Sequence, residues 1–261
     1  MTTQLQERPV IFSAQEVNAV LAGDKTQQRV IVERNKDTQP LFGSCAWYHL
    51  WCDDLSGHKM ERVSRVDHQP MQEYVSVGHC PFGKVGDRLW VQEDWRVGAW
   101  RETGGVLAID YKASPEITNT PWVQINDDID GKKFEAVWIA VTDELDSKGI
   151  KTNDDGHYHW PAGQAPLDWH EASTMERWAS RLLLEITDIR IERILDISDT
   201  DAKAMGLRPD YCDHKYQTCE DIGCIGKWAE PLMNYFIHEK NIENVSSHDW
   251  VWVVEFKKVD D

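Results

Sequence analysis

Apolar and polar positions along the chain repeat with two different periods. Val17, Val20 and Leu21 recur at helical spacing after Ser13-Ala-Gln-Glu16, where a hydroxyl followed three residues later by a carboxylate makes a capping-box pattern, and Gly23 stands where a helix can end. A short amphipathic helix is predicted between Ser13 and Gly23. Residues 86–95 open with the turn pair Gly86-Asp87 and alternate Leu89 and Val91 against Trp90 and Gln92, as a half-buried strand does. Residues 104–112 and 134–142 predict two further strands. From Arg181 to Ile194, the positions of Ile186, Ile189, Ile191 and Ile194 mark a long strand that bends near Thr187-Asp188, where the alternation changes face. Ser198 to Gly206 reads as a short capped helix stopped by glycine, and Trp250 to Phe256 as a closing strand.

Strands in varied order with helices at their corners predict an α+β chain built as a small barrel or strongly curved sheet. Two stretches show no period. Residues 33–79 hold Cys45, Cys52, His49, His58 and His68 among turn formers, and residues 143–176 are polar and rich in Gly, Pro, Asp and His. Both read as insertions on one domain spanning 1–261, together with a Cys- and His-containing loop at 208–228. Loops this long in a compact domain are functional or disordered.

Composition narrows the chemistry. The 261 residues carry 28 Lys and Arg against 45 Asp and Glu, a net charge of −17, so any nucleic-acid contact must come from a local basic patch. Acidic loops such as Asn126-Asp-Asp-Ile-Asp130 and Asn153-Asp-Asp155 serve solubility or offer an acidic surface to a basic protein partner. With no apolar run of spanning length and no export pattern at the start, a cytoplasmic protein without a membrane partner is expected. Six cysteines then read as free thiols in a reducing compartment. Cys212, His214, Cys219 and Cys224 fall close enough for a structural zinc site, although their spacing lacks the usual close pairs; no cofactor is otherwise required. His157 and His159 are a weaker metal candidate. Among the 13 tryptophans, Trp90, Trp138, Trp250 and Trp252 read as core. Trp95, Trp100, Trp160, Trp169 and Trp178 lie beside polar residues near predicted element ends, where an indole can stack on a base.

The cluster Leu21-Ala-Gly-Asp-Lys-Thr-Gln-Gln-Arg29 places a lysine, a hydroxyl, two amides and an arginine at the turn between a helix and a strand. It is either the floor of a pocket or a solvated helix end. Glu93 and Arg181 read equally as ligand contacts and as a buried ion pair.

The segments Arg8-Pro-Val-Ile-Phe12, Leu21 to Arg29, Cys80-Pro-Phe-Gly-Lys-Val-Gly-Asp-Arg-Leu-Trp-Val-Gln-Glu-Asp-Trp95, Arg177-Trp-Ala-Ser-Arg181, Asp196-Ile-Ser198 and Trp250-Val-Trp-Val-Val-Glu-Phe256 resemble the phage and prophage branch of the ASCH family. That family belongs to the PUA-like superfamily of small β-barrels. The resemblance implies a PUA-like barrel with mixed or antiparallel strands and flanking helices. It also implies a cleft beside the first helix for RNA, a nucleotide or a modified nucleobase, in the cytoplasm of a bacterial host cell. Some small members are amidohydrolases that remove an acyl group from the exocyclic nitrogen of a modified cytidine. Their catalytic set is the lysine of the Leu-Ala-Gly-x-Lys-Thr turn, a threonine three residues later and a glutamate in a later helix.

Lys25 matches that lysine, whereas Gln28 stands at the nucleophile's position and Met205 at the glutamate's. Lys25, Thr26 and Glu93 remain as catalytic candidates. As a binding site, Lys25, Thr26, Gln28 and Arg29 would meet a base edge or phosphate, and Glu93 would accept an exocyclic amine. Trp95 or Trp178 would stack, and Arg177, Ser180 and Arg181 would contact phosphate. A non-catalytic reader is expected. The alternatives are a hydrolase of N-acylated cytidine or RNA, and an acidic phage accessory protein that binds a host or virion protein.

Overall fold

Helix α1 (Ala14–Ala22) begins on the predicted capping box: the Ser13 amide donates to Glu16 Oε2 at 3.0 Å and the Glu16 amide to Ser13 Oγ at 3.3 Å. Gly23 ends it with φ of 80°, a left-handed conformation that favours glycine. The computed structural model describes residues 5–33, 47–53, 57–63, 70–101, 105–114, 122–124, 132–207 and 228–259. Cys45, Cys212, His214, Cys219 and Cys224 lie outside the described residues, and with them the candidate zinc site.

The strands are β1 (Glu7–Ile11), β2 (Gln27–Ile31), β3 (Trp47–Asp53), β4 (Gly57–Val63), β5 (Pro70–Gly78), β6 (Arg88–Gln92), β7 (Trp95–Arg101), β8 (Val106–Tyr111), β9 (Trp122–Gln124), β10 (Leu183–Arg193) and β11 (Trp250–Lys258). The other α-helices among the described residues are α2 (Lys132–Ser147), α3 (Asp199–Ala204) and α4 (Ala229–Asn234), and α4 runs into a π-helical turn at Tyr235–Glu239. This is an α+β fold with, among the described residues, one five-stranded sheet in the order β1-β6-β10-β11-β2 and two three-stranded sheets, β3-β4-β5 and β7-β8-β9.

Several elements follow the sequence pattern. The register of β10 against β11 shifts between Ile186 and Asp188, at the predicted bend. Ser198 caps α3 by accepting from the Asp201 amide, and Gly206 follows it with φ of 75°.

Other elements differ from the pattern. Residues 134–142 form part of α2 and not a strand. Phe134, Val137, Val141 and Leu145 recur on one face and pack into the core, while Trp138 and Ile139 are exposed, so the period is helical although the β-branched residues favour a strand. The predicted strand 86–95 is split, with β6 ending at Gln92 and β7 starting at Trp95. Within 33–79, β3, β4 and β5 pair antiparallel as a meander where turn formers predict an irregular insertion. Of the predicted insertion 143–176, residues 143–147 belong to α2 and residues 148–176 have no α-helix or strand, consistent with the polar, turn-rich composition there.

The chain divides into two compact units. The first comprises 1–8, 22–89 and 184–261, and the second comprises 9–21 and 90–183. In the first, Ile194, Ala202, Leu232, Phe236, Val251 and Val253 are buried together. In the second, β7, β8 and α2 bury Val97, Leu107, Ile109 and Leu145 with Leu167 and Met175. Each such aliphatic side chain contributes about 1.5–3 kcal/mol by leaving water.

Candidate functional site

In the first unit, β2 carries the predicted cluster and pairs antiparallel with β11, with Gln28 opposite Val254 and Arg29 opposite Val253. The backbone leading into it is fixed on both sides: the Thr26 amide donates to the Ala204 carbonyl at 2.8 Å, and the Phe256 amide donates to the Thr26 carbonyl at 2.9 Å. The Thr26 side chain is exposed. Lys25 is 1% exposed, and its ammonium donates to the Met205 carbonyl at 2.9 Å, so it satisfies a carbonyl at the C-terminal end of α3.

Gln28 is buried beside the π-helical turn. Its Nε2 donates to the Arg29 carbonyl at 3.1 Å and to Tyr235 Oη at 2.9 Å. Because a backbone carbonyl demands a donor, the amide orientation is fixed, and Gln28 Oε1 is left buried without a partner among the described residues. The Lys240 amide closes the turn on the Tyr235 carbonyl, and such turns are often found at functional sites.

The other face of β2 carries Gln27 and Arg29, two residues apart on one strand. Arg29 is 1% exposed; its Nε donates to Gln27 Oε1 at 3.0 Å and its Nη2 to Glu192 at 2.8 Å, with Asp201 at 3.6 Å, while Nη1 has no partner among the described residues. Gln27 Nε2 donates to Asp201 Oδ1 at 2.8 Å. Arg190 completes the network, reaching Glu192 and Asp201 at 2.6 Å each, Asp188 at 3.4 Å, and Glu255. Burial pulls the Arg29 guanidinium below its ordinary value against the attraction of Glu192. Burial acts to raise the Asp201 carboxyl, but hydrogen bonds from Ser198 and Gln27 and the charges of Arg190 and Arg29 outweigh it and leave that carboxyl low. Arg29 is therefore held by carboxylates rather than presented as a phosphate clamp.

The remaining predicted residues belong to the second unit. Arg181 forks onto Glu93, Nε to Oε1 at 2.8 Å and Nη2 to Oε2 at 2.9 Å, and its guanidinium lies 4.1 Å from the centre of the Tyr111 ring. Burial pushes the Glu93 carboxyl up, while the hydrogen bonds and charge of Arg181 pull it back. Tyr111, whose phenol burial also pushes up, donates to the Ala179 carbonyl at 2.8 Å. Of the two readings of this pair, the structure has the buried ion pair. Ser180 Oγ donates to backbone carbonyls, with Val91 at 2.8 Å and Leu182 at 3.2 Å. Trp95 is buried, meets Trp178 edge-on with centroids 5.7 Å apart, and donates to Thr174 Oγ1 at 3.3 Å. Trp178 Nε1 is buried without a partner among the described residues, and Arg177 is exposed. The Trp169 ring is covered by Arg96 at 4.2 Å, whose Nε pairs with Asp110 at 3.2 Å.

The second unit also holds a groove that the sequence pattern does not reveal. A cavity of about 300 Å³ is lined by Trp100, Trp138, Thr142, Tyr158 and Trp160, with His157 and His159 beside them. Trp100 and Trp160 stand out in the sequence as indoles at element ends, but Trp138 reads there as core and is instead 36% exposed on α2.

Among the described residues, no group of three His, Cys, Asp or Glu side chains is placed to hold a metal ion. Cys80 is buried, which pushes its thiol up to about 11, so it is neither a ready nucleophile nor a ready ligand. Among the same residues no helix is long and apolar enough to cross a membrane. Comparison with known protein families, with curated proteins and with solved structures finds no match to this chain.

Proposed function

We propose that the protein is a binding module of the PUA-like, ASCH type. In this reading its strands belong to a small barrel, and it recognises a nucleobase, free, in a nucleotide or in RNA, at the turn that follows α1, without catalysis. It acts in the cytoplasm of a bacterial host. The observation that carries the reading is Gln28 Oε1, a buried acceptor with a fixed direction and no partner among the described residues. Leaving such a carbonyl unpaired costs about 1–3 kcal/mol, and an exocyclic amine or a ring N–H of a base is the donor that would repay it.

The same geometry argues against hydrolysis. Position 28 carries an amide, which cannot attack an acyl carbon, and the Lys25 ammonium is directed to the Met205 carbonyl. Glu93 is engaged by two of the three guanidinium nitrogens of Arg181, which removes the alternative carboxylate from easy proton transfer. Thr26 has an exposed hydroxyl but no base among the hydrogen-bonding groups described for it.

Isothermal titration with cytidine, N-acylated cytidine, uridine, short RNA and short DNA, with product analysis of each mixture, tests the reading. Saturable binding without product, weakened tenfold or more by Gln28→Ala, is the expected outcome; a tenfold loss corresponds to about 1.4 kcal/mol. Product release would make the protein a hydrolase. Silence across the series would remove the nucleobase reading altogether.

A further inference from the structure

The groove of the second unit is built from different material. Trp100, Tyr158 and Trp160 meet with ring centroids 5.8–6.3 Å apart and interplanar angles of 42–59°. Trp138 on α2 and Thr142 one turn later line the same cavity. The polar edges of two rings are already spent: Trp160 Nε1 donates to the Gly98 carbonyl at 2.7 Å, and Tyr158 Oη to Asp146 Oδ1 at 3.3 Å. What those rings offer a ligand is the part of their π surface that lines the cavity.

We infer that this groove binds a compact organic cation of the methylated ammonium class. Three observations select that class. First, the rings are mutually tilted, which lets a rounded group touch more than one of them, whereas a flat base lies parallel to one at most. Second, the cavity of about 300 Å³ lies at the small end of ligand pockets, which run from about 300 to 1,000 Å³. Third, the chain around the groove is acidic. Between Trp138 and Trp160 the sequence carries Asp143, Glu144, Asp146, Asp154 and Asp155 against Lys148, Lys151 and the cavity-lining His157 and His159, and Lys148 is occupied by Glu144 at 2.6 Å and Asp168 at 2.8 Å. The negative face of an aromatic ring attracts a cation, and a methylated ammonium is desolvated at little cost because it has few or no N–H groups to leave unpaired. A phosphate-bearing ligand meets repulsion at the same place.

The probes are choline and its uncharged isostere 3,3-dimethylbutan-1-ol, titrated into the full chain and followed by tryptophan fluorescence and by chemical-shift changes of the indole N–H groups. Choline is expected to saturate in the millimolar range or below, and the isostere to bind about tenfold more weakly or worse. Trp138→Ala should weaken choline about tenfold with unchanged circular dichroism, because that indole is exposed, and Trp138→Phe should restore most of the affinity. Gln28→Ala should leave choline binding as it is, so failure here and failure of the nucleobase reading are distinguishable. Equal affinity for the isostere, an unaltered response in Trp138→Ala, preference for adenosine over choline, or no saturation by about 10 mM would each overturn the inference.

Discussion

The β2 strand of the first unit and the groove of the second are both lined by side chains whose polar atoms are mostly engaged within the protein, yet what remains over differs. Arg29 of β2 and Arg190 of β10 share Glu192 and Asp201, Arg190 also pairs with Glu255 and Asp188, and the opposite face of β2 leaves one amide oxygen, Gln28 Oε1. In the groove, Trp160 and Tyr158 have given their N–H and O–H to Gly98 and Asp146 and keep their faces. The residues that look most reactive in the sequence, Arg29 and Glu93, are both engaged by oppositely charged partners. A ligand can use only what the fold has not already consumed, and the two regions point to ligands of different chemistry for that reason.

The comparison breaks first where a buried charge loses its partner. Arg181→Ala leaves Glu93, 2% exposed, as an uncompensated carboxylate and should cost about 3–5 kcal/mol, read as a lowered urea midpoint. A change under about 1 kcal/mol would mean that Glu93 is solvated and available to a ligand after all.

A smaller effect is expected from Gly98→Ala. A Cβ there would stand 2.3 Å from Asp110 Oδ1, whose side chain is held by Arg96, so the clash cannot be relieved by swinging a free side chain away. About 1–3 kcal/mol is expected in urea unfolding, together with a shift in tryptophan emission as the Trp160 bond to Gly98 loosens. Unchanged emission would show that the groove is independent of the strand beneath it.

The pH dependence separates the two regions most finely. Asp201 has a lowered folded value, so its contribution is present above the ordinary carboxylate range and is lost as pH falls through the folded value. Glu93 has a raised folded value, so its contribution is present at low pH and is lost as pH rises through that value. In urea unfolding between pH 7 and 3, Asp201→Asn should flatten the acid loss of stability. Glu93→Gln should remove the opposing slope between the ordinary and the raised carboxylate values. Parallel curves for both variants would show that neither carboxylate titrates differently on folding.

What was legible in the sequence was local. The capping box at Ser13, the capped α3 and the shift near Thr187 are each written within a few residues, and each is found. Helix α2 was misread because Val137, Ile139 and Val141 favour a strand by type while Phe134, Val141 and Leu145 fix the face by spacing; packing decided for the spacing. The polar character of Lys25 to Arg29 could be read, but not its commitments, since Glu192, Asp201, Met205 and Tyr235 lie more than 150 residues along the chain. The groove was hidden for the same reason. Trp100 comes from β7, Trp138 from α2 and Trp160 from the segment after it, and no pattern within one element records their meeting.

The register shift between Ile186 and Asp188 has a consequence for how the charged network exists at all. Arg190 lies opposite Val253 and Asp188 opposite Glu255, the same β11 positions that face Arg29 and Gln27 of β2 on their other side. Ile186, Ile189 and Ile191 fall opposite Phe256, Val254 and Trp252, on the other side of the sheet. By simple alternation through Thr187, Ile186 would share a side with Asp188 and Arg190; the bulge that absorbs Thr187 prevents it. The bulge acts as a phase correction in the chain: by taking up one extra residue it keeps the isoleucines at both ends of one strand together and leaves Asp188, Arg190 and Glu192 on the opposite side. Deleting Thr187 would therefore remove the bulge and leave both sides as they are, whereas drawing Thr187 into the ladder without a bulge would exchange the sides on one half of the strand.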